Sequence, residues 1–140
     1  SVSAFLLNRS SDLEIVSAVA AIIAIIVAYR SNKAQMRISM FAEFTRRYQE
    51  IMLHIRKNDE DKEYYQTLYI DLCSEEYFMH NRGYLPKGVW KIWKDGMEHE
   101  VKGGYYKLWQ RDKNNYNPSF QEFFSGIVTN DTKAKENNNQ

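Results

Sequence analysis

From Ile15 to Tyr29 the chain carries a single polar side chain that is not aromatic, Ser17, and three positive charges, Arg30, Lys33 and Arg37, follow at once. At about 1.5 Å per residue such a run makes roughly 22 Å of helix, against a hydrocarbon core of about 30 Å that asks for about 20 residues. Leu13 lengthens the run, while Tyr29 and the long basic side chains can reach the interface. The pattern predicts one transmembrane helix, N-terminus outside, with everything after Arg30 in the cytoplasm. Two other readings compete with it. A secretion signal needs a basic leading region and a small-residue cleavage site, whereas "SVSAFLLNRSSDLE" sets one Arg against Asp12 and Glu14, and the run ends in Tyr29-Arg30. A buried helix of a soluble protein is the stronger rival, and the basic flank after the run argues against it.

The span has two sides. Ser17, Ala21, Ala24 and Ala28 fall at i, i+4, i+7 and i+11, and Ile15, Val19, Ile22 and Ile26 repeat that spacing on the opposite stripe. Small residues let helices approach closely in lipid, so the first stripe is a candidate packing face between copies.

No Gly or Pro occurs before Gly83, so nothing forces a break after the span. Met36, Met40, Phe44, Ile51 and Ile55, with Phe41, Tyr48 and Met52 beside them, predict an amphipathic helix continuing to about residue 57. The run "KNDEDKE" reads as a turn, with Asp59 or Asp61 to cap the next helix. That second helix spans 62–80 and ends at "NRGYLP", Gly83 supplying a left-handed cap and Pro86 a first helical turn. A third carries Val89, Trp90, Trp93, Met97 and Val101 and stops at Gly103-Gly104. A short fourth runs through "YYKLWQRDK". Asn117 and Pro118 start a fifth that buries Phe120, Phe123, Phe124 and Ile127. No alternating strand pattern of useful length occurs. The fold class is therefore all-α: residues 1–30 as N-terminal segment and span, 31–128 as a cytoplasmic domain of about five helices, and 129–140 as a disordered tail.

Composition alters this picture little. A length of 140 residues and a net charge of +1 leave room for one small domain and give no overall pull toward nucleic acid. Charge alternates along the chain, basic over 30–57, acidic over 58–78 and basic again over 80–113, as solvated helix faces do. The single cysteine, Cys73, allows no internal disulfide and fits a reducing compartment, as a buried small apolar residue.

Catalytic signatures are missing from the sequence. His54, His80 and His99 are scattered, Gly103-Gly104 lacks the remainder of a phosphate loop, and Glu75-Glu76, as neighbours, point to different sides of a helix, a solvated helix end being their ordinary setting. The expectation is a non-enzyme with no catalytic residue, no metal site and no cofactor. Binding chemistry is better represented. Lys87, Lys91 and Lys94 share one stripe of the third helix beside Trp90 and Trp93, with Asn81 and Arg82 at the preceding turn; Tyr105, Tyr106, Lys107 and Arg111 follow downstream. Cations suit phosphates, amides suit base edges and flat rings suit stacking, so these nine residues form a candidate site for an anionic nucleotide. The alternative is that the tryptophans are core and the lysines merely solvated.

The anchor, "FAEFTRRYQEI", "CSEEYFMHNRGYLPKGVWKIWKDGM" and "NPSFQEFF" together resemble a group of short bacterial proteins with one span and a helical cytoplasmic domain. More narrowly, the architecture is similar to the small membrane effectors of type III CRISPR systems. That resemblance implies a single-pass protein of the bacterial inner membrane that binds cyclic tetra-adenylate, a cyclic oligoadenylate messenger. It also implies assembly into a homo-oligomer, a tetramer being favoured, that perturbs membrane lipid in antiviral defence, with no role for double-stranded nucleic acid. The rival expectation is a membrane-anchored scaffold that recruits a protein partner through its charged segments.

Overall fold

The computed structural model describes the backbone of residues 2–57, 60–101 and 104–137, and side chains within 13–57, 60–101 and 104–129. The described residues form five α-helices, α1 (Val2–Lys57), α2 (Lys62–Asn81), α3 (Lys87–Glu100), α4 (Tyr105–Asp112) and α5 (Pro118–Asn137), with one turn of 3₁₀ helix at Lys113–Asn115. No strand occurs among the described residues. The all-α class read from the sequence is the fold. Its first two expected elements are one: the span and the amphipathic helix after it are both part of α1, with no Gly or Pro to end it.

Contacts divide the chain into two units, residues 1–40 and 41–140. The first is helical and exposes its described apolar side chains: Ile15, Val19, Ile22 and Ile26 are between about half and two-thirds exposed. Its most apolar 18-residue window has a mean hydropathy of 2.1 and buries nothing. The helix is long and apolar enough to cross a membrane. Ser17, Ala21, Ala24 and Ala28 are exposed as well, so the small-residue stripe has no partner among the described residues.

The second unit has a core of its own. Trp109, Phe120, Phe124, Ile70, Leu72, Met97 and Cys73 are its fully buried side chains. Phe120 and Phe124, one turn apart on α5, meet Trp109 of α4 edge-on at 5.9 and 4.8 Å between ring centroids. The indole Nε1–H of Trp109 donates to Ser125 Oγ at 2.9 Å, so its burial strands no donor. Phe123 is half-buried, stacked on Tyr77 of α2 at 4.7 Å. The Tyr116 hydroxyl, donating to Asp71 Oδ1 at 2.7 Å, ties the 3₁₀ turn to α2.

Helix ends follow their local signals, with differences. Gly83 has φ +71°, and its N–H reaches His80 O (2.9 Å) while Tyr84 N–H reaches Met79 O (3.0 Å), a Schellman ending. Pro86 stands one place earlier than expected, at the N-cap of α3, where its carbonyl accepts from Trp90 N–H. Asp61 occupies the N-cap of α2 but caps with its backbone carbonyl, not its side chain; Asp59 and Gly103 lie outside the described residues. Asn117 Oδ1 accepts from Ser119 N–H at 3.0 Å ahead of Pro118, the expected start of α5. α5 continues to Asn137, where a disordered tail was expected from residue 129. No Gly or Pro interrupts "TNDTKAKEN", and its Lys, Ala and Glu favour a helix already begun.

Candidate ligand-binding pocket

Three helices of the second unit each turn one face inward on a common cavity. Phe44, Thr45 and Tyr48 come from α1 at i, i+1 and i+4; Tyr69 and Glu76 come from α2 at i and i+7; Ile92, Trp93 and Gly96 come from α3 at i, i+1 and i+4. These spacings each select a single helix face. The cavity measures about 250 Å³. A methyl group placed on Gly96 would meet no atom within 4 Å, so the bare glycine leaves this wall open. Trp93 lies edge-on to Phe44 at 5.5 Å and stacks on Phe41 at 5.9 Å, while Tyr48 faces Tyr69 at 6.2 Å.

Within this aromatic lining sits one acid. Glu76 is only 7% exposed, and no hydrogen bond or ion pair reaches its carboxylate among the described residues. Burial pushes its carboxyl up to about 8; Arg47 opposes that shift and Glu75 adds to it. Arg47 is itself engaged, donating to Glu75 Oε2 at 2.6 Å and Oε1 at 2.9 Å. Tyr48 donates its hydroxyl to Glu100 Oε1 at 3.2 Å, and Arg56 donates to the same oxygen. Burial drives the phenol of Tyr69 and the thiol of Cys73 well above their ordinary ranges, so neither is a nucleophile at neutral pH.

The nine residues singled out for an anionic ligand fall into two groups. Asn81 and Arg82 end α2 and Lys87 begins α3, joined by the short Gly83–Pro86 turn; Lys91 and Lys94 continue along the exposed side of α3. Stacking of His80 on Trp90 at 4.3 Å clasps this corner. Arg111 lies elsewhere, paired with Glu63 in the first turn of α2 and with Asp112. Glu63 and Arg82 are 19 residues apart on α2, hence about 28 Å. One copy of the chain does not gather all nine around one ligand.

Several of the nine also have other engagements. Lys91 pairs with Asp95 (2.9 Å) and Lys94 with Glu98 (3.6 Å). Tyr105 is a core residue, 4% exposed and edge-on to Tyr69 at 5.9 Å, because α4 turns it onto α2. Arg82 lies over the Phe78 ring at 4.9 Å. Tyr106 and Lys107 are exposed, and among the described residues no acid pairs with Arg82, Lys87 or Lys107.

Neighbouring positions in the sequence set Glu75 and Glu76 alike at a solvated helix end. Glu75 is the exposed member of the pair, and Glu76 is buried. A signal existed: Tyr69, Leu72, Cys73 and Glu76 lie at i, i+3, i+4 and i+7, which puts the acid on the apolar stripe of α2. Compared with protein-family models, curated proteins and solved structures, the chain matches none.

Proposed function

We propose that this chain is a membrane-anchored sensor-effector, with α1 as its span and the helical unit from residue 41 onward as a binding module for a small ligand. One observation carries the reading: Glu76, a residue only 7% exposed whose carboxylate has no hydrogen-bond partner among the described residues, lines an aromatic cavity. A buried acid left unpaired costs stability, and a protein that keeps one gains most from it when a ligand supplies the missing partner. Binding is favoured over catalysis because the nearest thiol and phenols are held protonated. Arg30, Lys33 and Arg37 after the apolar run favour a cytoplasmic location for the module in a bacterial inner membrane.

A second reading concerns the messenger. The Arg82–Lys87 corner, where neither cation has an acid partner among the described residues, supports a phosphate-bearing ligand, and the resemblance to CRISPR-associated membrane effectors makes cyclic oligoadenylate the first to try. Separation of the two basic groups on one copy favours a ring shared among copies, tetramer included, so that binding selects one arrangement of the spans. The test uses the full chain in maltoside micelles, titrated by calorimetry with cyclic tetra- and hexa-adenylate, beside alkaline carbonate washing of membranes that contain it. Retention in the membrane pellet and saturable heat support the effector reading. Release by carbonate overturns the anchor. Silence toward both rings removes the nucleotide, and recovery of a stoichiometric protein partner in its place turns the reading toward a scaffold.

A further inference from the structure

We propose that the cavity between α1, α2 and α3 is an aromatic cage for a small organic ammonium ion, with Glu76 as its counter-charge. The inference rests on reading the cavity as a ligand site and names what that site takes. Four rings, Phe44, Tyr48, Tyr69 and Trp93, line it from three different helices. Ring faces attract cations most strongly where water is excluded, Trp above Tyr and Phe. Among the described residues the sole carboxylate on the lining belongs to Glu76, and no Lys, Arg or His lines the cavity.

The alternatives fit less well. A phosphate or carboxylate ligand would meet an acid and no cation, since Arg47, the nearest guanidinium, is bound at two points to Glu75. A neutral flat ligand would use the rings and gain little from the acid. A cation uses both. At about 250 Å³ the space falls below the roughly 300–1,000 Å³ of drug-sized sites, which suits a methylated ammonium head and excludes a dinucleotide.

Proton linkage follows. Empty, the Glu76 carboxyl titrates near 8; a cation beside it favours the ionised form, so binding at neutral pH releases a proton. The groups that face Glu76 are Arg47 and Tyr48 from α1 and Tyr69, Cys73 and Glu75 from α2, while Ile92, Trp93 and Gly96 of α3 do not titrate.

The experiment titrates the full chain in maltoside micelles with choline and with 3,3-dimethylbutan-1-ol, its uncharged isostere, following heat and the Trp93 indole NMR signal. Choline is expected to saturate, the isostere to bind at least about tenfold more weakly, and choline affinity to rise by up to about tenfold per pH unit below 8. Glu76→Gln, close in shape, is expected to match the thermal unfolding temperature of the unaltered chain in acid and to unfold no lower at pH 6, while losing both choline affinity and the pH dependence. Equal binding of the isostere, or no choline binding by the folded chain, overturns the cage. If adenine still shifts the Trp93 signal in that event, only the cation assignment falls; if no compound does, the ligand-site reading falls with it. Repeating the choline titration in phosphatidylglycerol vesicles with and without phosphatidylcholine separates the sources. Competition by the choline lipid supports a headgroup and equal binding supports a free amine, both within the ammonium class.

Discussion

Arg47 grips Glu75 across the α1–α2 interface with two parallel hydrogen bonds of 2.6 and 2.9 Å, and among the described residues the adjacent Glu76 has no ion-pair partner of its own. The pair is partly exposed, 29% for Arg47 and 48% for Glu75, which limits its contribution to about 1 kcal/mol or less. Its larger effect is electrostatic. Arg47 is the group that pulls the Glu76 carboxyl down against burial. Arg47→Met is therefore expected to cost little stability in a denaturant titration yet to move the Glu76 titration, read by carboxyl carbon NMR, to higher pH. An unmoved midpoint would sink this account of the pair.

Stability should depend on pH through Glu76. Its folded value near 8 lies above the ordinary 4.5, so between those limits the folded chain holds a proton that the unfolded chain has released. Stability is then highest below about pH 4.5 and falls as pH rises toward 8, by at most about 1.4 kcal/mol per unit. Glu76→Gln removes this slope. Unfolding curves of the two proteins are expected to converge in acid and to separate at pH 8 with the Gln variant more stable; parallel curves would contradict the burial of this acid.

Two glycines, given the same substitution, should respond with opposite signs. Gly83 sits at φ +71° and Gly88 in the first turn of α3, and a methyl group at either meets nothing within 4 Å. Sterics being equal, the backbone decides. Gly83→Ala is expected to destabilise by about 1 kcal/mol, the left-handed penalty, and Gly88→Ala to stabilise by roughly 0.5–1 kcal/mol through helix propensity. Chemical denaturation of both variants checks it; a stabilised Gly83→Ala would mean that α2 does not end in the left-handed turn.

How far the fold can be read from the chain depends on the range of the interaction concerned. Helix periodicity, the Gly83 cap and the Asn117-Pro118 start are local: each is set by residues within one or two turns, and each appears where the spacing puts it. The binding residues are not local. Lys91 and Lys94 are the exception, since Asp95 and Glu98, with which they pair, stand one turn on and could be read from the spacing. Tyr105 looked available and is buried against Tyr69, because which face of α4 turns inward depends on α2. Arg111 went to Glu63, far along the chain, for the same reason.

By itself the sequence determined the helices, their ends apart from that of α5, and an apolar N-terminal run long enough for a membrane, since these follow from backbone sterics and side-chain periodicity. The apolar stripe of α2 already sets Glu76, not its neighbour Glu75, on the inward side; only the tertiary structure decided that Phe44, Tyr48, Tyr69 and Trp93 share one cavity with it. What surrounds the acid depends on how three helix faces meet, and that meeting is a property of packing among distant segments, not of any one stretch of chain.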